Sequence, residues 1–286
     1  MRIIHHKHAL RTAISSLRAG GSIALVPTMG ALHEGHLTLV REARALGAQV
    51  VVSIFVNPLQ FGVNEDLDAY PRRLEADAAL LAAEKVAILW APTVEEMYPH
   101  GFATNISVSS VTQGLDGDAR PGHFDGVATV VNKLFNQVQP DFALFGEKDW
   151  QQLAVIRRMA RDLDLTLPSA DNIIGVPTVR EKDGLALSSR NAYLSAEERR
   201  QAVALPTAMR KAIAAIESGA PVAPALEQLQ ADVLAGGFAS LDYAELREAD
   251  SLTPLDALGT VPARLLVAAR LGKARLIDNM PVQLRR

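Results

Sequence analysis

The amino-acid sequence predicts an α/β protein: a parallel β-sheet with helices on both faces, followed by a smaller C-terminal α+β domain with an antiparallel sheet. Three observations carry this expectation. Short apolar, β-branched runs alternate with helical stretches up to about residue 176. After about Pro177 the texture changes to Ala-rich helical segments and then to short strand-like runs. The chain has 286 residues, 49% apolar and 21% charged, a balance and length ample for a buried core.

The elements follow in order. Residues 8–18 predict an amphipathic helix closed by Gly20 and Gly21. Ser22–Val26 predicts a buried strand ended by Pro27, with a helix from about Gly35 to Leu46 after a Gly-containing turn. Gln49–Val56 is a second strong strand; Asp77–Glu84 is helical and Val86–Trp90 is a third strand. Gly126–Val138 and Trp150–Leu163 predict helices that flank a strand at Phe142–Phe145, and Ile173–Val176 predicts a fifth strand. Beyond these, 196–217 and 222–235 read as helices, and Tyr243–Leu246, Arg264–Ala269 and Ala274–Asp278 as short strands.

Composition narrows the function classes. There are no cysteines, which removes disulfides, thiolate nucleophiles and Cys-based zinc sites. A net charge of −3 gives no general nucleic-acid footprint. The first residues lack the apolar core of a signal peptide, and no apolar run is long enough to span a bilayer. A cytoplasmic protein with no membrane partner is expected.

Four polar segments carry candidate chemistry. In Met29-Gly30-Ala31-Leu32-His33-Glu34-Gly35-His36 a strand feeds a turn and the turn feeds a helix N-terminus. Backbone N–H groups and the helix dipole favour phosphate at such a place. His33 and His36 share one face of the first helical turn and suit donation to a phosphate chain. Taken singly, either histidine reads as a surface or capping residue. The spacing His33-Glu34-Gly35-His36 does not fit the metalloprotease zinc pattern, which needs histidines four apart.

Gln60 follows the second strand and offers both a donor and an acceptor to a hydroxy acid; alone it reads as a loop glutamine. Gly146-Glu147-Lys148-Asp149 is again strand, turn, helix, with Lys148 suited to phosphate, Asp149 a possible cap, and Gln152 one helical turn beyond Lys148. In Val179–Asn191, the run Leu187, Ser188, Ser189 and Arg190 places two hydroxyls beside a guanidinium, which suits a phosphate clamp or a mobile flap; taken alone, Ser-Ser-Arg reads as a polar loop.

Together the segments VPTMGALHEGH, SIFVNPLQF, DLDAYPR, RPGHFDGV, FGEKDWQQL, VPTVREKDGLALSSRN and VAARLGKARLIDN closely resemble the pantoate–β-alanine ligases (AMP-forming). The resemblance runs from about Ile23 to Asn279. It places the chain among nucleotidyl-transferring enzymes with a His-x-Gly-His type signature. It implies a Rossmann-like domain over residues 1–176 that binds nucleotide and pantoate, and a smaller C-terminal lid domain over residues 177–286.

The resemblance implies further that Met29 to His36, Gly146 to Asp149, Val179 and Leu187 to Arg190 bind ATP, with His36, His33, Lys148 and Arg190 catalytic. Gln60 and Gln152 should hold pantoate, with Gln60 also near β-alanine. Asp77 matches a Mg²⁺ position, although the residue before it, often acidic in relatives, is Ala76 here. A homodimer is implied. Two other classes compete: a nucleotidyltransferase whose product keeps AMP, and a non-catalytic nucleotide sensor. The pair Gln60 and Gln152 favours a small hydroxy acid over the first. The retention of every charged candidate disfavours the second.

Overall fold

The computed structural model describes residues 1–62, 67 and 70–283, so part of the DLDAYPR segment lies outside the described residues. The chain divides into two compact units. The first comprises Met1–Thr112, Asp116–Glu147 and Gln152–Pro177; the second comprises Gln113–Leu115, Lys148–Gln151 and Thr178–Arg286.

The first unit is built on β1 (Arg2–Ile4), β2 (Ile23–Thr28), β3 (Gln49–Ile54), β4 (Ile88–Trp90), β5 (Phe142–Gly146) and β6 (Ile173–Val176). They form one sheet in the order β1-β4-β3-β2-β5-β6, and every pairing is parallel. Parallel neighbours need crossovers, and helices provide them. These are α1 (Lys7–Arg18), α2 (Glu34–Ala45), α3 (Leu74–Ala83), α4 (Val94–Met97), α5 (Leu115–Ala119), α6 (His123–Val138) and α7 (Trp150–Asp162), of which Leu115, Trp150 and Gln151 belong to the second unit.

Both sheet faces are covered, as the apolar runs require. Ala24, Val26, Val50, Val52, Leu89 and Leu144 pack with Leu39 and Val40 of α2 and Leu81 of α3. The alternate residues point to the other face. Among them Ile23, Leu25, Val51 and Ala143 are also fully buried. The expected parallel sheet is therefore present.

Two details differ from expectation. Pro27 lies inside β2 instead of ending it, opposite Ser53 of β3. The ladder to β5 covers only Ala24 and Leu25, so Pro27 sits where the strand has one paired neighbour and a missing N–H is tolerated. β1 was not foreseen; three residues at a sheet edge, beside β4, carry too little periodicity to be seen.

The second unit contains β7 (Ser240–Glu248), β8 (Ala263–Leu271) and β9 (Ala274–Val282), an antiparallel sheet, with α8 (Ala196–Gln201), α9 (Ala204–Glu217) and α10 (Val222–Ala235). Its core joins Leu205, Met209, Leu229 and Val233 to Leu265, Val267, Leu276 and Val282. The helix expected over 196–217 is broken into α8 and α9. Pro206 explains the break: it has no N–H to give Ala202, and its ring crowds that carbonyl.

In the same unit, Arg180 donates to both Asp278 oxygens, at 2.7 and 2.8 Å. This tethers the segment before Ser188 to β9. The Arg180 side chain is 22% exposed and also donates to the Gly184 and Asn279 carbonyls, so Asp278→Ala should destabilise the fold by about 1.5–3 kcal/mol, the loss of hydrogen bonds to a charged group. Urea unfolding of the variant checks this.

Candidate active site

Strand order locates the site. From β2 the chain moves outward through β3 and β4, then returns to the other side of β2 for β5 and β6. The crevice of such a sheet lies where the direction reverses, beyond the carboxyl ends of the strands. In this sheet that place is between β2 and β5. The turns after the adjacent strands β3, β2 and β5 leave the same sheet edge and carry Gln60, the His33–His36 turn, and Gly146 with Glu147.

The turn after β2 begins with Met29 and continues with two left-handed residues, Gly30 at φ 86° and Ala31 at φ 50°. It ends at His33, the N-cap of α2. The two histidines cap the helix reciprocally. The Gly35 N–H donates to His33 Nδ1 at 3.2 Å, and the His33 N–H donates to His36 Nδ1 at 3.3 Å. Their rings lie 4.1 Å apart between centroids.

This geometry sets the protonation of each neutral imidazole. A ring nitrogen that accepts an N–H carries no proton, so the proton sits on Nε2. Each neutral ring therefore presents Nε2–H as a donor.

The sequence suggests that backbone amides of this turn face phosphate. In the structure side chains already engage them. Ala31 and Leu32 donate to Asp77 at 2.8 and 2.9 Å, while His33 and Gly35 donate to the histidines. Four main-chain amides of this turn are thus engaged by side chains. Glu34 pairs with Arg41 on the exposed side of α2.

Gln60 ends the 3-10 turn Pro58–Gln60 that follows β3 and is 9% exposed. Asn57 governs its orientation. Asn57 Oδ1 accepts from the Leu59 N–H at 3.3 Å and the Tyr98 hydroxyl at 2.7 Å. Asn57 Nδ2 donates to the Gly126 carbonyl at 3.0 Å and to Gln60 Oε1 at 3.2 Å. Gln60 Nε2 then points to Met29 Sδ at 3.1 Å. Burial pushes the Tyr98 hydroxyl well above its ordinary pKa, which keeps it a donor.

His123 holds the main chain of the same turn. Its Nδ1 lies 2.8 Å from the Gln60 carbonyl and its Nε2 lies 3.0 Å from Arg120 Nη1. The carbonyl must accept and the guanidinium must donate, so this ring carries its proton on Nδ1. Sequence reasoning assigned Asn57, Tyr98 and His123 no role. Asn57 and His123 do stand inside segments that carry the family resemblance, the one signal that pointed to them.

Gly146 closes β5 and Glu147 begins the 3-10 turn that follows. Gln152 stands in the first turn of α7, half-buried. In the second unit, Lys148 Nζ lies 3.7 Å from Asp149 Oδ1, and the Lys148 carbonyl accepts from Asn279 Nδ2 at 2.8 Å. The Val179 carbonyl accepts from the Leu187 N–H at 3.0 Å. Ser188 caps the 3-10 turn Ser189–Tyr193, its Oγ accepting from the Arg190 N–H at 3.3 Å.

A family model described as pantoate-beta-alanine ligase matches residues 2–281. The chain belongs to the pantoate–β-alanine ligase family. The pantothenate synthetase of Novosphingobium aromaticivorans is 69% identical over 283 residues, 99% of each chain. That of Sphingopyxis alaskensis is 59% identical, covering 99% of this chain and all of its own. Among solved structures, pantothenate synthetase from Thermus thermophilus superposes with a TM-score of 0.91 at 49% identity, covering 99% of this chain and 100% of its own. The ligase from Francisella tularensis, complexed with beta-gamma ATP and beta-alanine, gives 0.83 at 34% identity, covering 98% of this chain and 97% of its own. Membership in this ligase family fits the strand-end placement of the His33–His36 turn and Gln60. Among the described residues no helix is long and apolar enough to cross a membrane.

Proposed function

We propose that this chain condenses (R)-pantoate with β-alanine to give pantothenate, using ATP and releasing AMP and pyrophosphate. One observation carries the reading: the turns after β3, β2 and β5 stand side by side at the switch point, with a buried amide and two imidazole donors on neighbouring turns.

In the first half-reaction a pantoate carboxylate oxygen attacks the α-phosphorus of ATP. The P–O bond to pyrophosphate breaks, and pantoyl-adenylate forms. A carboxylate is already ionised at neutral pH, so no base is needed. Catalysis then consists of positioning and charge stabilisation. His33 and His36 donate from Nε2 to phosphate oxygens as negative charge builds. Met29 to Leu32, Glu34, Gly35, Gly146, Glu147, Asp149, Val179 and Leu187 form the rest of the nucleotide site. Lys148, Ser188, Ser189 and Arg190 hold phosphates. When bound with the nucleotide, Mg²⁺ would add charge neutralisation at the phosphates to that supplied by Lys148 and Arg190.

Gln60 and Gln152 hold pantoate. Because Asn57 Nδ2 donates to Gln60 Oε1, the Gln60 group turned to the acid is its N–H donor. In the second half-reaction the neutral β-alanine amine attacks the acyl carbon. The C–O bond to the phosphate breaks and AMP leaves. Since the Nδ1 atoms of His33 and His36 are engaged, neither neutral ring offers a lone pair at Nε2, which argues against His36 as the base for the amine. The domain over 177–286 acts as a lid that shields the adenylate from water.

AMP release, measured with pantoate, β-alanine and ATP together, tests the reading. Release that needs both organic substrates supports it; no release with all three rejects it. Gln152→Ala should raise the KM for pantoate at least tenfold and leave the KM for ATP within about twofold, as expected when uniform binding of one substrate is lost. A homodimeric, cytoplasmic enzyme completes the proposal, and sedimentation equilibrium tests the dimer.

A further inference from the structure

The family resemblance implies a Mg²⁺ position at Asp77, and the residues present do not fit a metal ion there. Both Asp77 carboxylate oxygens accept main-chain N–H groups, Ala31 at 2.8 Å and Leu32 at 2.9 Å. Asp77 is 3% exposed, and its neighbour Ala76 offers no second carboxylate. Among the described residues no group of three or more His, Cys, Asp or Glu is placed to hold a metal ion.

We propose that Asp77 is instead a positioning residue for His33 and His36, an inference that rests on the ATP role proposed for their turn. The turn contains two successive left-handed residues, Gly30 and Ala31. Such a conformation is strained for alanine and persists only where surrounding groups hold it. Asp77 holds it. Its carboxylate is mounted on α3, where the Asp77 N–H donates to the Arg73 carbonyl at 2.9 Å. Each carboxylate oxygen accepts a charge-assisted hydrogen bond, the stronger kind.

The fit beneath the turn is close. A Cβ on Gly30 would stand 3.1 Å from Asp77 Oδ2 and 3.2 Å from Ile54 Cγ2. With the Ala31 and Leu32 amides drawn toward α3, the chain enters His33 in the extended geometry of an N-cap, φ −136° and ψ 176°. The reciprocal cap between His33 and His36 depends on that entry, and the cap keeps both rings in the Nε2–H form. A carboxylate 46 positions away in the chain from Ala31 thereby sets which nitrogen of His36 faces the nucleotide.

The test is Asp77→Asn in the full chain, with Asp77→Ser alongside in case the amide variant does not fold; thermal unfolding establishes which is folded. Three quantities are read: kcat for AMP release against KM for ATP, the Mg²⁺ concentration giving half-maximal rate, and ¹⁵N NMR of the Ala31 and Leu32 amides and the His36 ring. The expected result is a kcat lower by about tenfold to hundredfold, the range for hydrogen bonds to a charged group. The Mg²⁺ midpoint should not move. The two amide signals should shift upfield, and the His36 ring nitrogens should show a mixed tautomer. A merely structural role would not move the ring signals.

A folded variant with kcat within twofold of the parent overturns the proposal. So does a raised Mg²⁺ midpoint with the amide signals in place. Failure of the ATP reading looks different: His36→Ala would then keep full activity while the Ala31 and Leu32 amides still responded to Asp77→Asn.

Discussion

His36→Ala should lower kcat for AMP release by about 10²–10³-fold at saturating substrates, the cost of removing one preorganised donor from a developing charge. The KM for ATP should change much less, because the donor acts mainly on charge that appears in the transition state. The variant also loses a cap: His36 Nδ1 accepts the His33 N–H at 3.3 Å. Loss of a cap lowers stability by about 1 kcal/mol. The two effects separate with His36→Gln. Glutamine at that helical position can accept the same N–H, since it is a natural capping-box residue there. Its thermal stability should return toward the parent's, while kcat remains depressed because the amide cannot reproduce the Nε2 donor. Steady-state kinetics beside thermal unfolding of both variants checks the expectation. A His36→Gln enzyme with full kcat would show that capping, and not donation, is the work of this residue.

Gly126→Ala should be nearly as damaging, although the residue is remote in sequence from every substrate-binding position. A Cβ there would lie 2.3 Å from the Leu59 carbonyl oxygen and 2.6 Å from the Gln60 nitrogen. Both are backbone atoms that cannot rotate aside. Either α6 or the turn bearing Gln60 must move. The Gly126 carbonyl also accepts from Asn57 Nδ2 at 3.0 Å, so the same movement disturbs the group that orients the Gln60 amide. His123, three residues earlier on α6, would carry its contact with the Gln60 carbonyl away as well. A displacement near 1 Å in a substrate-positioning group costs about 10²-fold in rate. The loss should appear in kcat/KM for pantoate, with stability lower by about 1–3 kcal/mol from overpacking. Pantoate saturation curves and urea unfolding provide the two readings.

The parts legible in the sequence were those with local causes. Buried parallel strands show as continuous runs such as Ile23–Val26 and Val50–Val52, because both of their faces are covered. The strand–turn–helix setting of His33 and His36 was visible because a Gly-containing turn sits between a β-branched run and a helical period. The interruption between α8 and α9 was also written locally, in Pro206, but the Ala-rich helical period on either side obscured it.

What escaped was set by contacts between distant residues. Nothing near Ala31 announces that Asp77 will take its amide. The local pattern suggests a backbone phosphate cradle, and two of its amides, those of Ala31 and Leu32, donate to a carboxylate distant in the chain. Gln60 was recognised, but the sense of its amide depends on Asn57, and Asn57 is held in turn by Tyr98 and Gly126. The donor role of Gln60 is therefore a tertiary property.

Transfer of oxygen isotope tests the chemistry most directly. With ¹⁸O in the pantoate carboxylate, attack on the α-phosphorus followed by expulsion of AMP places one ¹⁸O in the released AMP and leaves one in the amide carbonyl of pantothenate. AMP that carries no label, or label found in inorganic phosphate, would contradict an adenylate intermediate and with it the roles of His33, His36 and Gln60.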